Sequence, residues 1–160
     1  MIVVADTTPL NYLVLIDGVE VLPQLYGRVL IPLAVWEEFQ RPETPQAVHA
    51  WIAQPPDWLQ IRPVVRTPGL AIENLGAGEC EAIALAEELH ADRLVIDDRA
   101  ARRIATQRHS IVIGTLGVLT EAADRGLLDF SDTIARLRQT SFYVSPEVID
   151  PLLQRYAKKS

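Results

Sequence analysis

The stretch VVADTTPLNYL, residues 3–13, decides how the fold of this chain is interpreted. Its first three residues are short and apolar, which is typical of a strand buried on both faces of a parallel sheet. Thr7 or Thr8 can cap a helix that has Pro9 near its first turn, and the apolar residues that follow continue that helix. A carboxylate, Asp6, therefore stands where a buried strand meets a helix, an uncommon place for a charge.

Composition and length indicate an ordinary folded chain. It has 160 residues, and 49% of them are apolar, which suits one domain with a sizeable core and excludes a disordered chain. No apolar run approaches the roughly 20 residues of a membrane span, and the N-terminus lacks the features of a secretory signal. The single cysteine, Cys80, provides no disulfide framework and no thiolate metal cluster. We expect a cytoplasmic protein that does not enter a membrane.

Short apolar strands alternate with helices along the chain. Strands are predicted at IVVA (2–5), RVLIP (28–32), RLVIDDR (93–99) and SIVIGT (110–115), and WLQIRPV (58–64) is predicted as an extended edge segment. The Pro-rich residues 41–69 are interpreted as a variable connection. Helices between successive strands imply right-handed crossovers and a parallel sheet that is covered on both sides. The predicted fold is an α/β three-layer sandwich with a mainly parallel central sheet.

Acidic side chains collect at one edge of this predicted sheet. Ligand sites in open α/β sheets lie beyond the carboxyl ends of the strands. The polar side chains expected there are Asp6, Asp97, Asp98 and Thr115 at strand ends, with Glu38 and Glu79 on helices whose ends face the same edge.

Each acid also has an ordinary structural role open to it. Asp6 fits a helix cap or a turn, Glu79 fits the first turn of a helix, and Glu38 fits a solvated helix face. The convergence of these acids favours a site, because carboxylates gathered at one edge repel one another and a divalent cation relieves that repulsion. Hard oxygen ligands favour Mg²⁺ or Mn²⁺, whereas the three histidines show no spacing typical of a zinc site.

Five stretches, in their order and spacing, resemble the PIN domain family of metal-dependent ribonucleases, particularly its compact prokaryotic toxin-like members. They are VVADTTPLNYL, VLIPLAVWEEF, GAGECEAIALA, LVIDDRAARRIA and VIGTLGVLTEAADRGLL. The resemblance covers residues 1–130 and implies Mg²⁺- or Mn²⁺-dependent endonucleolytic hydrolysis of RNA, in the role of the toxin of a toxin–antitoxin pair. We expect residues 1–160 to form a single PIN-like domain, with 131–160 as a C-terminal helical extension.

The resemblance also implies roles for individual residues. The catalytic acids are Asp6, Glu38, Glu79, Asp97 and Asp98, and the metal ligands among them are Asp6, Glu79, Asp97 and Asp98. Either Asp97 or Asp98 matches the fourth acid of the family. Glu81 is the alternative to Glu79, because the family commonly has an aspartate there and GECE offers two glutamates. Thr8 matches a hydroxyl residue that bonds metal-bound water, and Thr115 a polar position near the site.

The charge distribution leaves the position of RNA open. The net charge is −6, whereas nucleic-acid binding modules are more often basic. Arg99, Arg102 and Arg103 are candidates for contacts with the RNA backbone, although a solvated helix face is the more common role for such a cluster. An antitoxin protein and a second copy of the chain are the protein partners that the resemblance allows. Leu152, Leu153 and Tyr156 are candidates for such a face, but we favour a contact with the core of the same chain.

Two other classes of protein compete with the nuclease. A non-catalytic PIN-like binding protein would have the same fold. A receiver-like signalling domain also collects acids at strand ends, but it requires an early acid pair and a lysine at the sheet edge. The pair here, Asp97 and Asp98, comes late, and the lysines are Lys158 and Lys159 at the C-terminal end.

Overall fold

The structure, a computed structural model, describes residues 1–65 and 75–157. Within these ranges five strands form one sheet, and every neighbouring pair is parallel. In chain order the strands are β1 (Val3–Ala5), β2 (Val29–Pro32), β3 (Leu59–Arg62), β4 (Arg93–Val95) and β5 (Val112–Ile113). Across the sheet their order is β3-β2-β1-β4-β5, so β1 lies at the centre.

Helices connect the strands and cover both faces of the sheet. They are α1 (Thr7–Leu15), α2 (Val21–Tyr26), α3 (Leu33–Glu38), α4 (Gln46–Ala53), α5 (Ala77–Glu88), α6 (Arg99–Gln107), α7 (Thr115–Asp124), α8 (Phe130–Leu137) and α9 (Pro146–Ala157). The predicted α/β/α sandwich with a parallel central sheet is therefore confirmed. Residues 66–74, which include the end of the predicted Pro-rich connection, and the last three residues, 158–160, lie outside the described residues.

The central strands are apolar throughout because each face of the sheet has its own core. Val3 and Ala5 belong to one hydrophobic cluster, which includes buried residues of α1, α7, α8 and α9. Val4, between them, belongs to a second cluster formed with α5 and α6. Successive side chains of a strand point to opposite faces, so a strand covered on both sides carries no polar position. This is the physical basis of the strand predicted at residues 2–5.

The WLQIRPV segment forms β3, which pairs with β2 on one side. It lies at the end of the sheet order, as predicted from Pro63, which directly follows the strand. A proline has no backbone N–H to donate to a neighbouring strand.

The helix that follows β1 starts one residue earlier than predicted. Asp6, rather than Thr7 or Thr8, is the cap residue of α1, with extended backbone angles. The backbone N–H of Asp6 donates to the Val95 carbonyl oxygen at 2.9 Å, so sheet pairing continues through Asp6 and the helix begins directly after it. The Thr7 hydroxyl has a different role, described below.

The C-terminal helices pack against the core of the sheet. Ile134 of α8 and Ile149 of α9 are fully buried in the same cluster as Val3. Tyr156 is also buried, and its hydroxyl donates to Asp124. Leu152 and Leu153 lie partly buried against the same cluster, which is the contact that we favoured for them. No helix in the described ranges is long and apolar enough to cross a bilayer.

Candidate active site

Acids from several separate elements meet at the carboxyl edge of the sheet. Asp6 follows β1, Asp97 and Asp98 follow β4, Glu38 is the last residue of α3, and Glu79 lies in the first turn of α5. β1 and β4 are adjacent parallel strands, and therefore their terminal acids lie side by side. The charges of Glu79, Glu38 and Asp97 all act on Asp6.

Asp6 is the buried centre of this cluster. Its exposed fraction is 3%, and burial raises its pKa from 3.8 to about 7. The backbone N–H of Thr7 lowers this pKa, whereas the negative charges of Glu79, Glu38 and Asp97 raise it further. Within the described part of the chain, Asp6 Oδ1 is buried without a hydrogen-bond partner. A buried carboxylate oxygen without a donor is costly, and its position among other acids favours a cation as the missing partner.

Glu38 is held by two donors from neighbouring elements. Its Oε2 accepts the Thr7 hydroxyl at 2.5 Å, and its Oε1 accepts the backbone N–H of Gly78 at 3.0 Å. A Cβ at Gly78 would stand 2.8 Å from the Glu38 carboxyl carbon, closer than real Cβ atoms approach. A side chain at position 78 would therefore displace the Glu38 carboxylate from the place where the Gly78 N–H holds it.

Thr7, rather than Thr8, is the hydroxyl that contacts a site carboxylate. Thr8 is exposed, whereas Thr7 is partly buried. The sequence shows two threonines in succession, and their roles follow from the start of α1 one residue earlier than predicted. Gly78 was also missed; the signal for it is a glycine inside the first turn of an otherwise regular helix.

Asp97 is oriented by Thr115, the first residue of α7. Its Oδ1 accepts the Thr115 backbone N–H at 2.7 Å, and its Oδ2 accepts the Thr115 hydroxyl at 2.6 Å. Thr115 is fully buried, so this pair fixes the carboxylate against the sheet edge. A Cβ on Gly114 would lie 2.9 Å from Asp97 Oδ1 and 2.8 Å from Arg102 Nη1. Gly114 therefore leaves room for a carboxylate and a guanidinium together.

Asp98 and Glu79 each bond to the start of their own helix. Asp98 Oδ2 accepts the Ala101 N–H at 2.9 Å and caps α6. Glu79 Oε1 accepts the Gly76 N–H at 3.0 Å. Burial raises the pKa of Glu79, the Gly76 N–H lowers it, and the charges of Asp98 and Glu38 raise it.

Glu81 bonds to the backbone of a neighbouring helix. Its Oε1 accepts the backbone N–H of Ala34 at 3.0 Å, near the start of α3. It therefore ties α5 to the helix that carries Glu38. Of the two glutamates in GECE, Glu79 interacts electrostatically with the other acids of the cluster, and Glu81 holds α3 in place.

The predicted arginines all lie in the first half of α6. Arg99 and Arg102 line a groove that also contains Asp97. Arg103 is exposed on the same helix.

The donor set of the cluster fits a hard divalent cation, since every candidate ligand is a carboxylate oxygen. As the side chains stand, the described residues include no group of three or more acidic, histidine or cysteine side chains arranged to hold a metal ion. Glu38, Glu79, Asp97 and Asp98 each accept hydrogen bonds from the chain. A bound cation would compete with those donors for the four carboxylates. It would meet no such competition at Asp6 Oδ1, which lacks a hydrogen-bond partner among the described residues.

Comparison with known proteins identifies a family. A family model, DUF3368, described as a PIN domain, matches residues 2–158, which includes the C-terminal helices that the resemblance in sequence did not reach. Neither the curated proteins nor the solved structures that were compared gave a significant match.

Proposed function

Because this chain belongs to the PIN domain family, we propose that it is a ribonuclease that hydrolyses RNA phosphodiester bonds with Mg²⁺ or Mn²⁺. PIN domains are generally nucleases. The family favours this proposal over a receiver-like signalling domain, which has a different arrangement of acids and requires a lysine at the sheet edge.

One observation carries the proposal. Asp6 is almost fully buried, its pKa is raised to about 7, and its Oδ1 has no hydrogen-bond partner among the described residues. A protein that used Asp6 only as a helix cap would bond this oxygen to the chain, as Asp98 does in α6. The surrounding charges of Glu38, Glu79 and Asp97 make an unneutralised Asp6 still more costly.

The proposed ligands are Asp6, Glu79, Asp97 and Asp98, with Glu38 as a further catalytic acid. A divalent cation held there supplies an activated water and neutralises charge on the phosphodiester. The chain orients its acids for this role: Thr115 fixes both oxygens of Asp97, and Thr7 with Gly78 fixes both oxygens of Glu38. No histidine or thiol nucleophile is required.

An Asp6→Asn variant tests the proposal. We expect the wild-type protein to cleave single-stranded RNA with Mn²⁺ or Mg²⁺ and to lose this activity with EDTA. The variant should lose on the order of 100-fold in rate, because its amide is a poorer ligand than a carboxylate. Asp57→Asn, at an exposed turn position, is the matched control and should retain activity.

A second readout does not depend on activity. A cation that binds only the folded protein raises its unfolding temperature, so Mn²⁺ should stabilise the wild type and not Asp6→Asn. Cleavage that survives EDTA, or that Asp6→Asn retains in full, would contradict the proposal. RNA binding without cleavage would instead support the non-catalytic alternative.

We extend the proposal to a toxin role with a protein antitoxin as partner. The support is the resemblance of the five stretches to compact toxin-like members of the family. Expression of the wild type in a bacterial host should then arrest growth, and expression of Asp6→Asn at the same level should not.

A further inference from the structure

A groove of about 740 Å³ opens beside the acid cluster. Its walls come from α6, from the junction of β5 and α7, and from the segment that precedes α9. Asp97 is one of its lining residues, so the groove shares a residue with the candidate active site. The volume lies within the range of ligand clefts, roughly 300–1,000 Å³.

One wall of the groove is cationic. Arg99 and Arg102 line it, and the Arg102 guanidinium approaches the backbone of Gly114 beside Asp97. The chain as a whole carries a net charge of −6, so these arginines concentrate positive charge against the general trend. A polyanion that reached the acid cluster along this wall would meet favourable contacts on the way.

The groove also presents an exposed aromatic ring. Tyr143 lines the groove and is 81% exposed. Its neighbours fix the backbone that carries it: Phe142 packs edge-on against Tyr12 of α1 with ring centroids 5.0 Å apart, and Ser141 Oγ lies 2.8 Å from the Tyr12 hydroxyl. An exposed ring on an anchored segment is a ready surface for stacking at little cost in conformational entropy.

We propose that this groove holds the RNA strand on one side of the cleaved bond, with a base stacked on Tyr143 and the backbone phosphates beside Arg99 and Arg102. Aromatic rings combined with a cationic wall are how proteins hold single strands without reading their sequence. The inference rests on the proposed function. It adds Tyr143 as the residue that makes the site prefer unpaired RNA, since a base within a duplex is already stacked.

A Tyr143→Ala variant tests the stacking contact by fluorescence anisotropy with a labelled single-stranded RNA, in EDTA and again with Ca²⁺. We expect its affinity to fall about 5- to 100-fold, the contribution of one stacked base, whereas Tyr143→Trp should retain affinity because it restores a ring. Duplex RNA of the same sequence should bind both proteins equally. Because Tyr143 is exposed, its replacement should leave the fold intact, and circular dichroism of the variant checks this.

The arginine wall is tested by the salt dependence of the same binding. Arg99→Ala should weaken binding and reduce the slope of log affinity against log salt by about 0.7, the value for one phosphate contact to a single strand. Arg125→Ala makes the same change in net charge just after the far end of α7 and should leave the slope unchanged.

Cleavage of the same single-stranded RNA by the wild-type protein with Mn²⁺ separates this inference from the nuclease proposal, because binding measured in EDTA does not depend on catalysis. Wild-type protein that does not cleave the RNA, yet binds it through Tyr143, would overturn the nuclease and support the groove. Equal RNA affinity of wild type and Tyr143→Ala would overturn the groove, and would leave a protein segment as its occupant.

Discussion

At Asp6, the burial of the side chain conflicts with the negative charge of its carboxylate. It lies at the end of the central strand, with an exposed fraction of 3%, and its charge is opposed both by burial and by neighbouring acids. Nothing in packing requires a carboxylate there, since an apolar residue would continue the strand. The cost of the charge is therefore best understood as the cost of a site.

The raised pKa of Asp6 makes stability depend on pH. Its pKa is 3.8 in the unfolded chain and about 7 in the folded protein, so folding takes up a proton between these values. Without divalent metal, stability should fall as pH rises from about 4 to 7, by on the order of 4 kcal/mol at most. Urea unfolding in EDTA at pH 5.5 and 8 measures this.

Asp6→Asn removes this titration and provides the comparison. The variant should be more stable than the wild type at pH 8, and the difference should shrink as pH falls. A loss of stability with rising pH that remains in the variant would come from Glu79, because burial also raises the pKa of Glu79. Identical pH dependence in the two proteins would contradict the assignment.

Alanine at position 78 should be destabilising only while Glu38 is present. In the wild type, Gly78→Ala places a methyl group against the Glu38 carboxylate and should cost about 1–3 kcal/mol, as overpacking does. In a Glu38→Ala background the clash is absent, and the same change should be neutral or stabilising by up to about 1 kcal/mol, because alanine favours helix. The four proteins form a double-mutant cycle in urea. Additive effects would show that the glutamate is not the reason for the glycine.

At the scale of elements, the first turns of α5 connect the site to its scaffold. Gly78 donates to Glu38, Glu79 faces the acid cluster, and Glu81 accepts from Ala34 of α3. α3 has only six residues, too few to be stable alone. Its position, and with it that of Glu38, therefore depends on α5.

The two glutamates of GECE should respond oppositely to removal of their charge. Glu81→Gln weakens the bond to α3 and should lower the free energy of unfolding by about 1 kcal/mol. Glu79→Gln removes a charge that other acids oppose, so it should leave stability in EDTA unchanged or higher while weakening Mn²⁺ binding. Calorimetry of Mn²⁺ binding beside urea unfolding measures both effects. If Glu81→Gln lost affinity for Mn²⁺ and Glu79→Gln did not, Glu81 rather than Glu79 would be the metal ligand.

Strands were predictable where sequence determines burial on both faces. VVA (3–5) and VLIP (29–32) carry no polar position because each lies between two cores, and Pro63 indicated the edge strand. The start of α1 was not predictable, because Asp6, Thr7 and Thr8 are all good cap residues. The choice among them depends on how far β1 pairs with β4, which is a tertiary contact.

At the scale of the molecule, the edge where the acids gather followed from topology, but their individual partners did not. Parallel strands bring Asp6 and Asp97 to one edge whatever the details. The roles of Thr7, Glu81 and Gly78 depend on helix positions to within one residue, which a pattern of hydrophobicity does not determine. The groove beside Tyr143 could not be predicted from the sequence either, because it depends on where the segment before α9 lies in the folded chain.

The interleaved order of the sheet has a consequence for synthesis. β1 is made first, yet its partner β4 is not made until residue 93, and Thr115, which fixes Asp97, follows later still. A nascent chain that is released or cleaved before that point holds Asp6 without its counterparts. Incomplete products of translation would therefore lack the acid cluster, which can assemble only once most of the chain has left the ribosome.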